Sequence, residues 1–114
     1  MNQTIVVSTR QKGDVALIDI KGDVTATTGE NIEAAYYKMS KEGAKKIVLC
    51  FDQDDYINSG GIAILIGVVT ESREKGQHIG VTGLSSHFHK IFDMVGLTKY
   101  TIIFPSEEAA LEGF

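Results

Sequence analysis

Apolar residues along this chain follow two alternating rhythms. Gln3 to Ser8 and Val15 to Ile20 are short runs rich in β-branched residues, and Lys12-Gly13-Asp14 between them carries turn chemistry. An opening hairpin is therefore expected. Beyond Gly22 the period lengthens: Ile32, Ala35, Tyr36 and Met39 recur at helical spacing, with capping residues at Thr27-Thr28-Gly29-Glu30 and a glycine stop at Gly43. Lys46 to Phe51 is short and continuously apolar, as in a strand covered on both faces of a parallel sheet.

The polar stretch Asp52-Gln53-Asp54-Asp55 reads as a surface loop. Ser59-Gly60-Gly61 then opens an apolar segment from Ile62 to Val69, which turns polar and ends at Gly76. A helix is expected there, apolar nearly all round in its first half and so packed on two sides, with Ile64, Leu65 and Val68 in the core. A brief strand at Ile79 to Val81 follows. Ser85-Ser86 caps a helix through Phe88, Ile91, Phe92 and Val95 that Gly96 ends. Tyr100 to Phe104 reads as the last strand, and Pro105-Ser106-Glu107-Glu108 starts a last helix. The order predicts one α/β domain over residues 1–114: a mixed, mostly parallel sheet with an N-terminal hairpin and about four helices. Binding sites in such sheets gather beyond the carboxyl ends of strands, which draws attention to the loop from Asp52 to Ser59.

Composition narrows the function classes. No apolar run of eighteen residues exists, so no membrane span is expected. Met1-Asn2-Gln3-Thr4 lacks the features of a secretory leader. The single cysteine, Cys50, lies in an apolar run and is expected to be a buried structural thiol, in keeping with a cytoplasmic protein. The formal net charge of -4, with Lys45-Lys46 the only adjacent basic pair, argues against nucleic acid.

Ser59 is the sharpest chemical candidate. A serine before two glycines at a helix start has an exposed hydroxyl beside N–H groups that can hold an anion, and its structural reading is an N-cap. Gly60-Gly61 weakens the helix and implies close approach by another backbone, which points to a docking surface. Ile57 stands where a serine-hydrolase elbow needs glycine, so no catalytic nucleophile is assigned. His87 and His89, two apart on a helix, point in different directions and are expected to flank a buried Phe88 rather than bind metal. Asp52, Asp54 and Asp55 lack the glycine and terminal glutamate of a calcium loop. Gly80-Val81-Thr82-Gly83 is not a dinucleotide fingerprint. No cofactor is expected.

Three segments together resemble the STAS family, and within it the bacterial anti-sigma-factor antagonists. They are Ile18-Asp19-Ile20-Lys21-Gly22-Asp23-Val24, Tyr56-Ile57-Asn58-Ser59-Gly60-Gly61-Ile62-Ala63-Ile64-Leu65, and Ile91-Phe92-Asp93-Met94-Val95-Gly96-Leu97. The resemblance covers nearly the whole chain and implies a small mixed sheet with helices. It implies a phosphoacceptor at Ser59 and a partner surface including Thr25, Asp55, Tyr56, Asn58, Gly60 and Gly61. The partner would be a serine-kinase anti-sigma factor, which supplies ATP and magnesium and is bound until Ser59 is phosphorylated. From the closed helix–strand alternation, the free protein is expected to be a monomer. This chain departs from the family motif at Asn58, usually Asp, at Gly60, usually Ser or Thr, and at Thr25, often acidic. These departures keep a second reading open, a phosphorylation-free adaptor or subunit of a lipid-transport or stress-signalling assembly.

Overall fold

A computed structural model describes residues 5–114. The elements in chain order are β1 (Ile5–Lys12), β2 (Val15–Val24), α1 (Gly29–Lys41), β3 (Lys46–Cys50), β4 (Tyr56–Ile57), α2 (Ser59–Glu74), β5 (His78–Thr82), α3 (Ser86–Met94), a 3-10 turn (Leu97–Lys99), β6 (Thr101–Ile103) and α4 (Glu107–Gly113). The sheet runs β1-β2-β3-β5-β6, with β1 antiparallel to β2 and the other neighbours parallel. This is the mixed α/β architecture expected, with its four α-helices.

Several boundaries differ from the sequence reading. Gln3 and Thr4 of the first expected strand, like the rest of the 1–4 segment, lie outside the described residues. β1 runs on to Lys12 because every residue from Ile5 to Lys12 finds a partner on β2. Gly22, at φ 128°, bends β2 without ending it. β2 changes neighbours there, pairing with β3 as far as Asp19 and with the two-residue β4 at Asp23 and Val24.

The sheet is covered unequally. On one face Ile18, Ile20, Ile47, Leu49, Ile79 and Val81 pack with Ile32 and Tyr36 of α1, Leu65 and Val68 of α2, and Phe88 and Phe92 of α3. On the other, among the described residues, α4 alone of the helices lies against Val15, Leu17 and Val48, through Ala110, with Phe104, Leu111 and Phe114 alongside. Central β3 is buried at Ile47, Val48 and Leu49, which explains its unbroken apolar run.

α2 is less enclosed than expected. Leu65 and Val68 are buried and Ile64 is half-buried against Gly29 of α1, but Ala63, Ile66 and Gly67 face solvent. The helix therefore packs on the sheet and on α1 and leaves an apolar strip open. Its 16 residues also fall short of a membrane crossing; among the described residues no helix is long and apolar enough for one.

Candidate functional site

Ser59 is the first residue of α2, not its cap. Asn58 takes that position in an extended conformation, and its Oδ1 accepts the Gly61 N–H at 2.9 Å. Its carbonyl accepts the Ile62 N–H and its own N–H donates to the Val24 carbonyl. Asn58 is thus fastened to both the helix and the end of β2. Ser59 is exposed, and its hydroxyl lies beside first-turn N–H groups that have no intrahelical acceptor.

The two glycines after it meet backbone of this same chain. A Cβ on Gly61 would collide with the Val24 carbonyl, and one on Gly60 would lie 2.9 Å from the Ala26 Cβ. The close approach expected of Gly60-Gly61 is therefore internal: it seats the helix start on the 24–26 segment, so the pair is not in itself evidence of docking. That segment is also tied locally. The Thr25 N–H donates to Thr28 Oγ1 and the Thr28 N–H to Thr25 Oγ1, at 2.8 and 3.1 Å. This is a reciprocal box one turn ahead of α1. Thr28 flanks the helix as expected, but its hydroxyl donates to the Asp23 carbonyl, at 2.5 Å, instead of capping α1.

Asp55 corrects the expectation of a wholly surface loop. It is only 7% exposed, and its two carboxylate oxygens accept the N–H groups of Gly22 and Asp52 at 2.7 and 2.9 Å. Burial pushes its pKa up, although the two backbone bonds pull the other way. Asp55 pins the loop to the bend of β2 and so sets the position of Tyr56 to Asn58. Tyr56 is 56% exposed, with its ring edge-on to Phe88 of α3 at 5.8 Å between centroids.

The residues expected at the site thus divide. Ser59 and Tyr56 are exposed, Thr25, Asn58 and Gly60 are partly covered, and Asp55 and Gly61 are buried. Sequence reasoning missed Ala63 and Ile66, which stand four and seven residues after Ser59 and continue its face of the helix. That spacing was the available signal.

The remaining chemistry lies elsewhere. His87 and His89 are exposed on either side of buried Phe88. Cys50 is half-buried, and burial pushes its thiol up to about 11, so it is not a thiolate at neutral pH. Asp19, Cys50 and Glu107 can bring ligand atoms within 4.8 Å of one another. Arg10, however, already forks between both carboxylates, with 2.6 Å contacts to each. A guanidinium fills the place a cation would take.

Comparison with known proteins agrees with this geometry. Residues 6–110 match the STAS domain family. A Bordetella bronchiseptica protein designated an anti-sigma factor antagonist, BtrV, is 27% identical over 95 residues, covering 83% of this chain and 82% of that protein. The crystal structure of an anti-sigma factor antagonist from Mycobacterium paratuberculosis superposes with a TM-score of 0.82 at 17% identity, covering 96% of this chain and 93% of the other. SpoIIAA of Bacillus, solved in its phosphorylated form, gives a TM-score of 0.68 at 17% identity over 96% of this chain and all of the other (100%). The strand order, the short β4 and the serine at the head of α2 fall within the matched span, and the chain belongs to the STAS domain family.

Proposed function

We propose that this protein is an anti-sigma factor antagonist. It docks on a serine-kinase anti-sigma factor through the head of α2 and is released when Ser59 is phosphorylated. The observation that carries the reading is the division of labour at the helix start: Asn58 caps, Gly61 packs, and Ser59 is exposed, its hydroxyl bonded to no other described residue. Exposed Ala63, Ile66 and Tyr56 lie beside it and offer a partner the desolvated contact that a lone serine cannot. The names of the relatives support the antagonist role. Exposed Tyr56 and the partly covered Thr25, Asn58 and Gly60 would meet the partner, while Asp55 and Gly61 hold them in place.

The switch follows from magnitudes. A phosphoryl group on Ser59 adds about -1.5 to -2 charges at the positive end of α2. The helix returns about 0.3–1 kcal/mol for a charge placed there. Enclosing that charge unpaired in an interface costs several kcal/mol. Binding is lost and the fold survives. ATP and magnesium enter with the kinase, and the free protein acts as a monomer in the cytoplasm.

The test pairs mass spectrometry with calorimetry. Incubation with the cognate kinase and ATP should add one phosphoryl group to the parent and none to Ser59→Ala. Ser59→Asp should fold like the parent and bind the kinase far more weakly. If Ser59→Asp binds as tightly as the parent, the switch is wrong. Unchanged mass together with tight binding would favour the adaptor reading, which the substitution of Asn58 and Gly60 into the motif supports.

A further inference from the structure

A second surface lies at the other end of α2. Arg73 stands fourteen residues after Ser59, roughly 21 Å along the helix axis. An open groove of about 480 Å³ lies there, and Arg73, His78, Lys99, Tyr100 and Ile102 line it. The Arg73 guanidinium rests on the Tyr100 ring, 3.9 Å from its centroid. This stacking fixes its plane and leaves its N–H edge free. Among the described residues, none of Arg73, His78 and Lys99 forms an ion pair. Arg73 and Lys99 thus place two unpaired positive charges side by side in a chain of net charge -4.

The apolar part is equally unusual. Tyr100 is 49% and Ile102 46% exposed. β6, which carries Ile102, is the last strand of the sheet, and among the described residues its outer edge pairs with no other strand. Gln77 does not contribute a polar group to the groove, because its side chain is engaged by Tyr36, Ser40 and the Ala44 carbonyl. The groove therefore offers cations and apolar contacts, and the strand that carries Ile102 ends the sheet.

We propose that this groove takes an extended, acidic segment of a partner protein, laid along the outer edge of β6. Its carboxylates would meet Arg73 and Lys99, and its apolar side chains would meet Tyr100 and Ile102. Charge complementarity selects the occupant. A small anion in so open a groove keeps most of its water and gains little from exposed charges. A bilayer is flat where this surface is concave. An extended segment gains from all three features at once, with main-chain bonds to the edge and side chains deciding specificity. The surface is independent of Ser59, so the protein can hold two partners at opposite ends of one helix.

The test titrates the isotopically labelled full chain with the acetylated, amidated peptide Glu-Val-Glu-Val-Glu, following amide shifts. Saturable shifts are expected at Arg73, His78 and the Lys99 to Ile103 stretch, with none at Ser59. The Arg73→Gln/Lys99→Gln double variant should bind at least about fivefold more weakly, by the scale of exposed charge pairs. Ser59→Asp, at the opposite end of the helix, should bind the peptide like the parent. Thermal melts of each variant separate loss of binding from loss of fold. The proposal is overturned if these amides do not move, or if the folded double variant binds like the parent. Inorganic phosphate producing the same shifts at similar concentration would make the groove a small-anion site. Anionic vesicles binding where the peptide does not would make it a membrane contact. Either outcome overturns it as well.

Discussion

Asn58 Oδ1 closes the first turn of α2 on the Gly61 N–H, and this one bond relieves Ser59 of any duty in the fold. Asn58→Ala should cost about 0.5–2 kcal/mol, the ordinary value of a lost cap. Ser59→Ala, at an exposed position outside the cap, should change stability by no more than about 0.5 kcal/mol. Urea melts of the two variants check this. Equal losses would mean that Ser59 shares the cap.

The glycines of α2 should respond to alanine with opposite signs. Gly61→Ala gains about 0.8–1 kcal/mol of helix propensity but drives a methyl into the Val24 carbonyl. Overpacking of that kind costs about 1–3 kcal/mol, and more against backbone, so a net loss is expected. Gly67 is exposed, and a Cβ there meets nothing within 4 Å. Gly67→Ala should therefore gain about 0.8–1 kcal/mol. Thermal midpoints moving apart would support both, and a stabilised Gly61→Ala would show that the helix start is not seated on Val24.

Asp55→Asn keeps size and removes charge, yet it should destabilise by about 1–3 kcal/mol. The carboxylate accepts two backbone N–H groups on two oxygens, and the amide has one oxygen and would turn its NH₂ toward a donor. Relief of the buried charge works in the variant's favour but leaves an orphaned N–H. Amide exchange at Gly22 and Asp52 is the direct readout: both should speed up.

Acid should weaken the protein partly through Glu107. Arg10 holds its carboxyl below the usual range, so this group contributes stability above its unfolded value and loses it as the pH falls through its folded value. Asp55 has the opposite sign. Its raised value favours the fold below the unfolded value, and that contribution disappears as the pH rises through the folded one. Stability should decline from about pH 5 downward, and Glu107→Gln should flatten the decline while costing no more than about 1 kcal/mol at neutral pH. An unchanged acid limb in the variant would remove Glu107 from the account.

The sequence carried the element order well because its signals are local. Gly13 and Gly96, both with positive φ, mark the turn and the helix stop where expected. Ser85 and Ser106 cap through their hydroxyls as their spacing predicts. The candidate site was less legible, because its decisive contacts are distant in sequence. Nothing beside Asp55 announces that it will fold back on Gly22, thirty-three positions earlier. Nothing near Gly61 reveals the Val24 carbonyl it must clear. The choice between Asn58 and Ser59 as cap turned on one residue of helix register, and both residue types are good caps. The open strip on α2 escaped notice for a related reason: an all-apolar segment does not say which of its faces lacks a neighbour.

The unequal covering of the sheet has a consequence for how the molecule opens. α4, seven residues long, is held on its face by Ala110, a few flanking apolar side chains and the Arg10–Glu107 contact. The opposite face is closed by three helices that share one continuous core. Local opening should therefore be hierarchical, with α4 lifting as a separate unit while the rest stays folded. During such an excursion Leu17 and Val48 are wetted and Cys50 is uncovered, without disturbing Ser59. A thiol reagent would report that minor state from Cys50, at a rate set by the detachment of α4 and indifferent to the occupancy of either end of α2.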